Sequence, residues 1–74
     1  MNVREKIARL ETSWPAEFRD GFKCGLGIKV EGPREPGNYP IRFHGWPLAR
    51  RNAWFAGANR GLVERAEREK GGKL

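Results

Sequence analysis

Seven glycines and prolines fall within the twenty residues from Gly27 to Trp46: Gly27, Gly32, Pro33, Pro36, Gly37, Pro40 and Gly45. No helix or long strand survives that density, because proline removes a backbone donor and fixes φ, while glycine adds chain entropy that folding must remove. The 74 residues are therefore two helix-forming flanks around a long linker, residues 27–46. Linkers of that length are uncommon inside a compact domain unless they are functional loops. Gly27–Glu31 and Tyr39–Phe43 have the composition of short strands, which leaves a two-stranded ribbon open, and Pro36-Gly37-Asn38-Tyr39-Pro40 is expected to turn.

The flanks show helical spacing. Val3, Ile7 and Leu10 recur at i, i+4, i+7 and predict a short amphipathic helix over residues 2–12. Thr12-Ser13-Trp14-Pro15 then combines a hydroxyl suited to capping with a proline suited to a first helical turn. Trp14, Phe18, Phe22 and Leu26 recur every four residues, so a second helix over 14–26 has one aromatic face. Pro47 opens a third, expected to run over 47–69, with Leu48, Phe55, Leu62 and Ala66, flanked by Trp54, Ala58 and Gly61, in one broad stripe that should meet the aromatic face. Lys70–Leu74 is expected to be a loose tail. The predicted fold is mainly α: one small domain of two packed helices joined by the linker, plus the N-terminal helix.

Two glycine pairs, Gly21 with Gly25 and Gly57 with Gly61, sit inside these helices at i, i+4. Each interior glycine costs about 1 kcal/mol relative to alanine, so something must offset it. Close approach of the two helix backbones does so, with Trp14, Phe18, Phe22, Trp54 and Phe55 filling the flanking space. No phosphate-cradling glycine motif is present.

The chemistry set is sparse: one each of Cys, His, Ser, Thr and Asp, and no Gln. One cysteine permits no internal disulfide, and with one histidine it cannot make a Cys/His zinc site. No catalytic group, metal or cofactor is expected. No apolar run approaches the roughly 20 residues needed to span a bilayer, and the first residues lack a signal peptide's apolar stretch. An intracellular, cytoplasmic protein with no membrane association is expected.

What the chain has instead is charge. Fifteen Lys and Arg against nine Asp and Glu leave +6, which favours polyanions or an acidic surface as partner. Residues 36–63 contain no carboxylate, yet hold Arg42, Arg50, Arg51, Arg60 and His44, and five of the eight aromatics: Tyr39, Phe43, Trp46, Trp54 and Phe55. Arginine forks bind phosphate oxygens bidentately, and exposed rings stack on unpaired bases, so the mixture suits RNA or single-stranded nucleic acid. The four arginines are the candidate phosphate contacts, and Tyr39 and Trp46 the candidate base contacts. The same composition fits aromatics that fold back as a small core.

The order of three short motifs resembles the ribosome modulation factor family of small bacterial proteins and its phage and mobile-element relatives. These are Gly21-Phe22-Lys23-Cys24-Gly25, Asn38-Tyr39-Pro40 and Arg51-Asn52-Ala53-Trp54-Phe55-Ala56-Gly57, and the likeness covers roughly residues 19–61. The family usually has Trp after the last glycine, where this chain has Ala58, and a shorter linker. By position, the resemblance carries over Tyr39, Arg51 and Trp54, the last as a structural residue. It implies a two-helix basic protein that binds ribosomal RNA and proteins on the small subunit and helps silence ribosomes by pairing them.

Two functions are thus expected. One is a non-enzymatic RNA-binding regulator docked on the ribosome. The other is a phage-type inhibitor whose basic, aromatic surface meets an acidic or nucleic-acid-bound host protein. A homodimer is compatible with either, because so small a chain buries little core.

Overall fold

In the computed structural model, which describes residues 2–71, the chain is mainly helical. Helix α1 (Val3–Ser13) leads into α2 (Pro15–Leu26), a two-residue strand β1 (Arg34–Glu35) pairs with β2 (Tyr39–Pro40), a 3-10 turn covers Phe43–Gly45, and α3 (Leu48–Gly71) completes the chain. Lys70 and Gly71 extend α3 beyond its expected end; the rest of the expected tail, residues 72–74, lies outside the described residues.

Asn2 caps α1, its side chain accepting from the Glu5 N–H at 2.9 Å. The expected hydroxyl cap on α2 is absent. Thr12 Oγ1 instead donates to the Ala8 carbonyl at 2.9 Å within α1, and Trp14 stands at the break with no side-chain cap bond. Pro15 is the reason: it disfavours the helical conformation in the residue before it, so the break falls at Trp14, one residue past the hydroxyls. Helix α2 ends at Gly27 in the left-handed conformation, φ 82°, with Gly27 N–H donating to Cys24 O and Ile28 N–H to Lys23 O, both at 3.0 Å.

The packing of α2 on α3 centres on the glycines, and it is parallel. A methyl group at Gly21 would sit on the Trp54 carbonyl and one at Gly25 on the Ala58 carbonyl; reciprocally, Gly57 faces the Phe18 carbonyl and Gly61 the Phe22 carbonyl. Partner numbers rise together along both helices, from Glu17 with Arg50 to Gly27 beside Arg65. The contacts repeat with a constant offset: 36 residues separate Gly21 from Gly57, and Gly25 from Gly61. Both segments share one pattern, Phe18-x-x-Gly21-x-x-x-Gly25-Leu26 and Trp54-x-x-Gly57-x-x-x-Gly61-Leu62, so the pair has local two-fold pseudosymmetry.

Parallel packing explains the linker. The chain leaves the C-terminal end of α2 and must return to the N-terminal end of α3, retracing about 18 Å for a twelve-residue helix. The return path is structured. The ribbon pairs Arg34 with Pro40 and Glu35 with Tyr39 across a turn holding Gly37 (φ 88°) and Asn38 (φ 66°). It falls at residues 34–40, not at the expected Gly27–Glu31, which has no strand. Tyr39–Pro40 is a strand as expected, but it stops before Phe43, because Arg42 turns left-handed and starts the 3-10 turn.

The core is small and aromatic: Phe18, Phe43, Ala53 and Trp54 are buried, with Phe43 the most enclosed of the large side chains at 2% exposure. Phe43 stacks on Tyr39 at 4.8 Å and meets Trp54, Phe55 and Trp46 at 5.4 Å each. The linker is therefore a lid folded on α3. Only the flank of the expected stripe faces α2. Trp54, Ala58 and Gly61 lie against it together with Gly57, whereas Leu48, Phe55, Leu62 and Ala66 are exposed. Glycines allow the closest approach, so the smallest residues, not the largest, define the contact line.

Candidate nucleic-acid interface

The lid is held by the chain's one aspartate. Asp20 on α2 accepts two bonds from Arg34, Nη1 to Oδ2 at 2.7 Å and Nη2 to Oδ1 at 2.6 Å, and a third from Trp54 Nε1 to Oδ2 at 2.7 Å. One carboxylate thereby joins α2, α3 and the ribbon. The Arg34 bonds hold the Asp20 carboxyl below its ordinary value of 3.8; partial burial opposes this and the Trp54 bond reinforces it. Arg34 is correspondingly raised, chiefly by the same hydrogen bonds. Arg34 Nη1 also reaches the Asn38 carbonyl at 3.4 Å, and Cys24 Sγ lies 3.7 Å from it. Partial burial pushes the Cys24 thiol up, which disfavours the nucleophilic thiolate.

On this frame the basic residues take distinct places. Arg50 and Arg51 lie in the first turn of α3, which contains no acidic residue. The positive end of the helix dipole and two guanidinium groups coincide there, an arrangement that repels cations and attracts anions. Arg50 is partly engaged: its Cζ sits 3.8 Å above the Trp46 ring, and its Nε faces Glu17 Oε2 at 3.8 Å, too far for a hydrogen bond. Arg51 is half-buried, with its Nε sheltered from water and unbonded.

Arg42 is exposed on the lid with φ 65°. That left-handed conformation costs a non-glycine residue about 1–2 kcal/mol. Its N–H donates to Glu35 Oε1 at 3.3 Å, and the other Glu35 oxygen lies 3.9 Å from His44 Nε2. Arg60 stands apart, nine residues or about 14 Å along α3 from Arg51, in a groove of 490 Å³ that also holds Glu11 and Glu64. The fold thus groups Arg42, Arg50 and Arg51 around the lid and the start of α3, and leaves Arg60 in mixed charge.

The aromatics are placed otherwise than a base-stacking surface needs. Tyr39 packs against Phe43 and, at 5.1 Å, against Trp54. Trp46 lies between Arg50 and Phe43. Both rings are half-buried and stiffen the lid. Among the helix-packing residues, Phe18, Gly21, Gly25, Trp54, Gly57 and Gly61 are buried, Phe22 and Trp14 half-buried, and Phe55 is 43% exposed.

Sequence reasoning missed Asp20 and Arg34. The only signal was that Asp20 is the single aspartate, since its partners are 14 and 34 residues away. Among the described residues no helix is long and apolar enough to cross a membrane. Comparisons with protein families, curated proteins and solved structures find no match to this chain.

Proposed function

We propose that this chain is a small, non-enzymatic RNA-binding protein that docks on the small ribosomal subunit and modulates translation, with Arg42, Arg50 and Arg51 gripping phosphates. The observation that carries the reading is the start of α3, where two arginines and the helix dipole concentrate positive potential in a turn with no carboxylate of its own, Glu17 of α2 meeting only Arg50. The order of family-like motifs supplies the ribosomal part. Tyr39 and Trp46 act by holding the lid, and through it Arg42, in place, so recognition rests on backbone phosphates rather than on stacked bases.

Arg42 supports the same reading. A glycine or asparagine would hold its left-handed position with less strain, so the arginine is retained for its side chain. Arg42→Gly is expected to leave thermal stability equal or higher while weakening RNA binding, measured by melting and by filter binding to ribosomal RNA fragments. Equal affinity in the variant would remove Arg42 from the interface.

The deciding experiment is sedimentation of the tagged protein with ribosomes at low and high salt. Co-migration with the small subunit at low salt, lost at high salt and in Arg42→Ala with Arg51→Ala, is the expected result. Log affinity for RNA should fall against log salt with a slope of about −2 for three phosphate contacts, and each arginine removed should reduce that slope by somewhat under one. A flat slope overturns the reading. Protein that stays at the top of the gradient without RNA, bound to one stoichiometric protein, favours the inhibitor.

A further inference from the structure

The outward stripe of α3 has a purpose that neither its packing nor the arginines absorb. Leu48, Asn52, Phe55, Asn59, Leu62 and Ala66 follow one another at alternating steps of four and three residues, the period of a coiled-coil seam. None carries a charge, and all six are exposed, Leu48 at 65%, Phe55 at 43% and Leu62 at 54%. The stripe runs about 27 Å along the helix. On one side it borders a groove of 490 Å³ lined by Ile7, Leu10, Ala56 and Val63, with Arg60 at its edge.

The shape of the molecule says what covers it. The chain measures 43 × 35 × 15 Å, a flattened shape. Its accessible surface is 5730 Å², whereas a compact 8.5 kDa chain exposes about 4,700 Å². The surplus of about 1,000 Å² is what one side of a standard protein interface buries, about 800 Å² per partner.

We propose that a second copy of this chain covers the stripe, the two α3 helices pairing in parallel along Leu48, Asn52, Phe55, Asn59, Leu62 and Ala66. Parallel pairing sets each asparagine against its own counterpart, where the two amides satisfy each other, whereas antiparallel pairing sets them against Leu62 and Phe55 and leaves buried amides unpaired. Asparagine at such positions fixes register and two-chain state. Arg51 then borders Ala56 of the other copy rather than a second arginine. At the far end Arg65 and Arg68 are already tied within α3 to Glu69 and Glu64, at 3.2 and 3.3 Å. The groove beside Asn59 receives the edge of the incoming helix, which also covers Ile7 of α1, 37% exposed in the single chain.

The test is sedimentation velocity of the full chain, freed of RNA by nuclease and high salt, from about 5 to about 500 μM. A concentration-dependent shift to the mass of two chains is expected. Leu62→Glu and Leu48→Glu alter side chains that are more than half exposed in the single chain, so helix content by circular dichroism should stay unchanged while the dissociation constant rises at least about a hundredfold. Ala66→Cys in a Cys24→Ser background should form an interchain disulfide on mild oxidation, since the two thiols face each other. A single-chain mass at the highest concentration, or dimers undisturbed by both glutamates, overturns the pairing. Two-chain mass without the cross-link overturns the parallel register.

Discussion

Gly57→Ala is expected to lower the melting temperature by about 15 °C or more, and the sign is the informative part. In an ordinary exposed helix this substitution stabilises by about 1 kcal/mol, because alanine is the better helix former. Here the new methyl would overlap the Phe18 carbonyl oxygen and lie 2.8 Å from its carbonyl carbon and 3.0 Å from the Phe22 nitrogen. These are backbone atoms, so no side chain can swing aside; α2 and α3 must separate and the core loses contact along their length. Overpacking costs typically 1–3 kcal/mol and more where the obstacle is rigid. A net loss of about 3 kcal/mol is large against the roughly 4–11 kcal/mol of a domain this size. Pseudosymmetry adds a second requirement: Gly21→Ala, which meets Trp54 in the same way, should lose a similar amount. Gly45→Ala is the control, since nothing lies within 4 Å of the added methyl, and it should move stability by less than about 0.5 kcal/mol. Equal melting temperatures for Gly57→Ala and Gly45→Ala would disprove the close backbone approach.

Asp20→Ala should be the next most damaging change, costing about 2–3 kcal/mol. It leaves the Arg34 fork and the Trp54 indole without their acceptor at a site where the Asp20 side chain is 22% exposed, which keeps the figure below that of a fully buried pair. The loss should be local in character: the lid frees, and intrinsic tryptophan fluorescence shifts as Trp54 loses its bond and its cover. The same pairing makes a pH prediction. A carboxyl lowered in the folded state binds its proton more readily when unfolded, so its stabilisation is complete above the ordinary value of 3.8 and is lost as pH falls from there through the folded value. Wild-type stability, measured by urea denaturation, should decline below about pH 4, whereas Asp20→Asn should follow a flatter course from a lower start. Parallel curves for the two proteins would show that the ion pair contributes nothing.

Much of the architecture was legible in the residues. Helix limits followed from periodicity and from Pro15, Pro47 and Gly27, and the glycine pairs correctly marked the closest approach of two helices. The broad stripe on α3 was half right: its flank of Trp54, Ala58 and Gly61 meets α2, whereas Leu48, Phe55, Leu62 and Ala66 do not. Large apolar residues announce burial, and glycine has no side chain with which to do so; the contact face of α3 is therefore nearly silent to a hydrophobic pattern. Phe43 was hidden for a different reason. It sits in an irregular segment, where no period says which rings turn inward, and only the returning path of a parallel pair lays that segment on Trp54. Asp20 illustrates a third limit: one carboxylate binding partners 14 and 34 residues away leaves no local mark. At the candidate interface the arginine-rich, carboxylate-free run was plain, whereas the separation of Arg60 from Arg42 and Arg51, and the turning of Tyr39 and Trp46 into the lid, depended on that same path.

The parallel course of α2 and α3 also governs how the chain finds its fold. An antiparallel helix pair zips outward from its turn, each new contact closing a loop barely larger than the last. Here the first native contact between the two helices must close a loop of about thirty residues, because Trp54 and Asp20 are 34 positions apart in a chain of 74. Contacts so far apart in sequence slow folding, and refolding is expected on the millisecond scale or slower rather than in the microseconds of a helical hairpin. The ribbon shortens the search. Arg34 reaches Asp20 over only 14 residues, so docking it first leaves a loop of about twenty to close and raises the chance that α3 arrives alongside α2 before either helix frays.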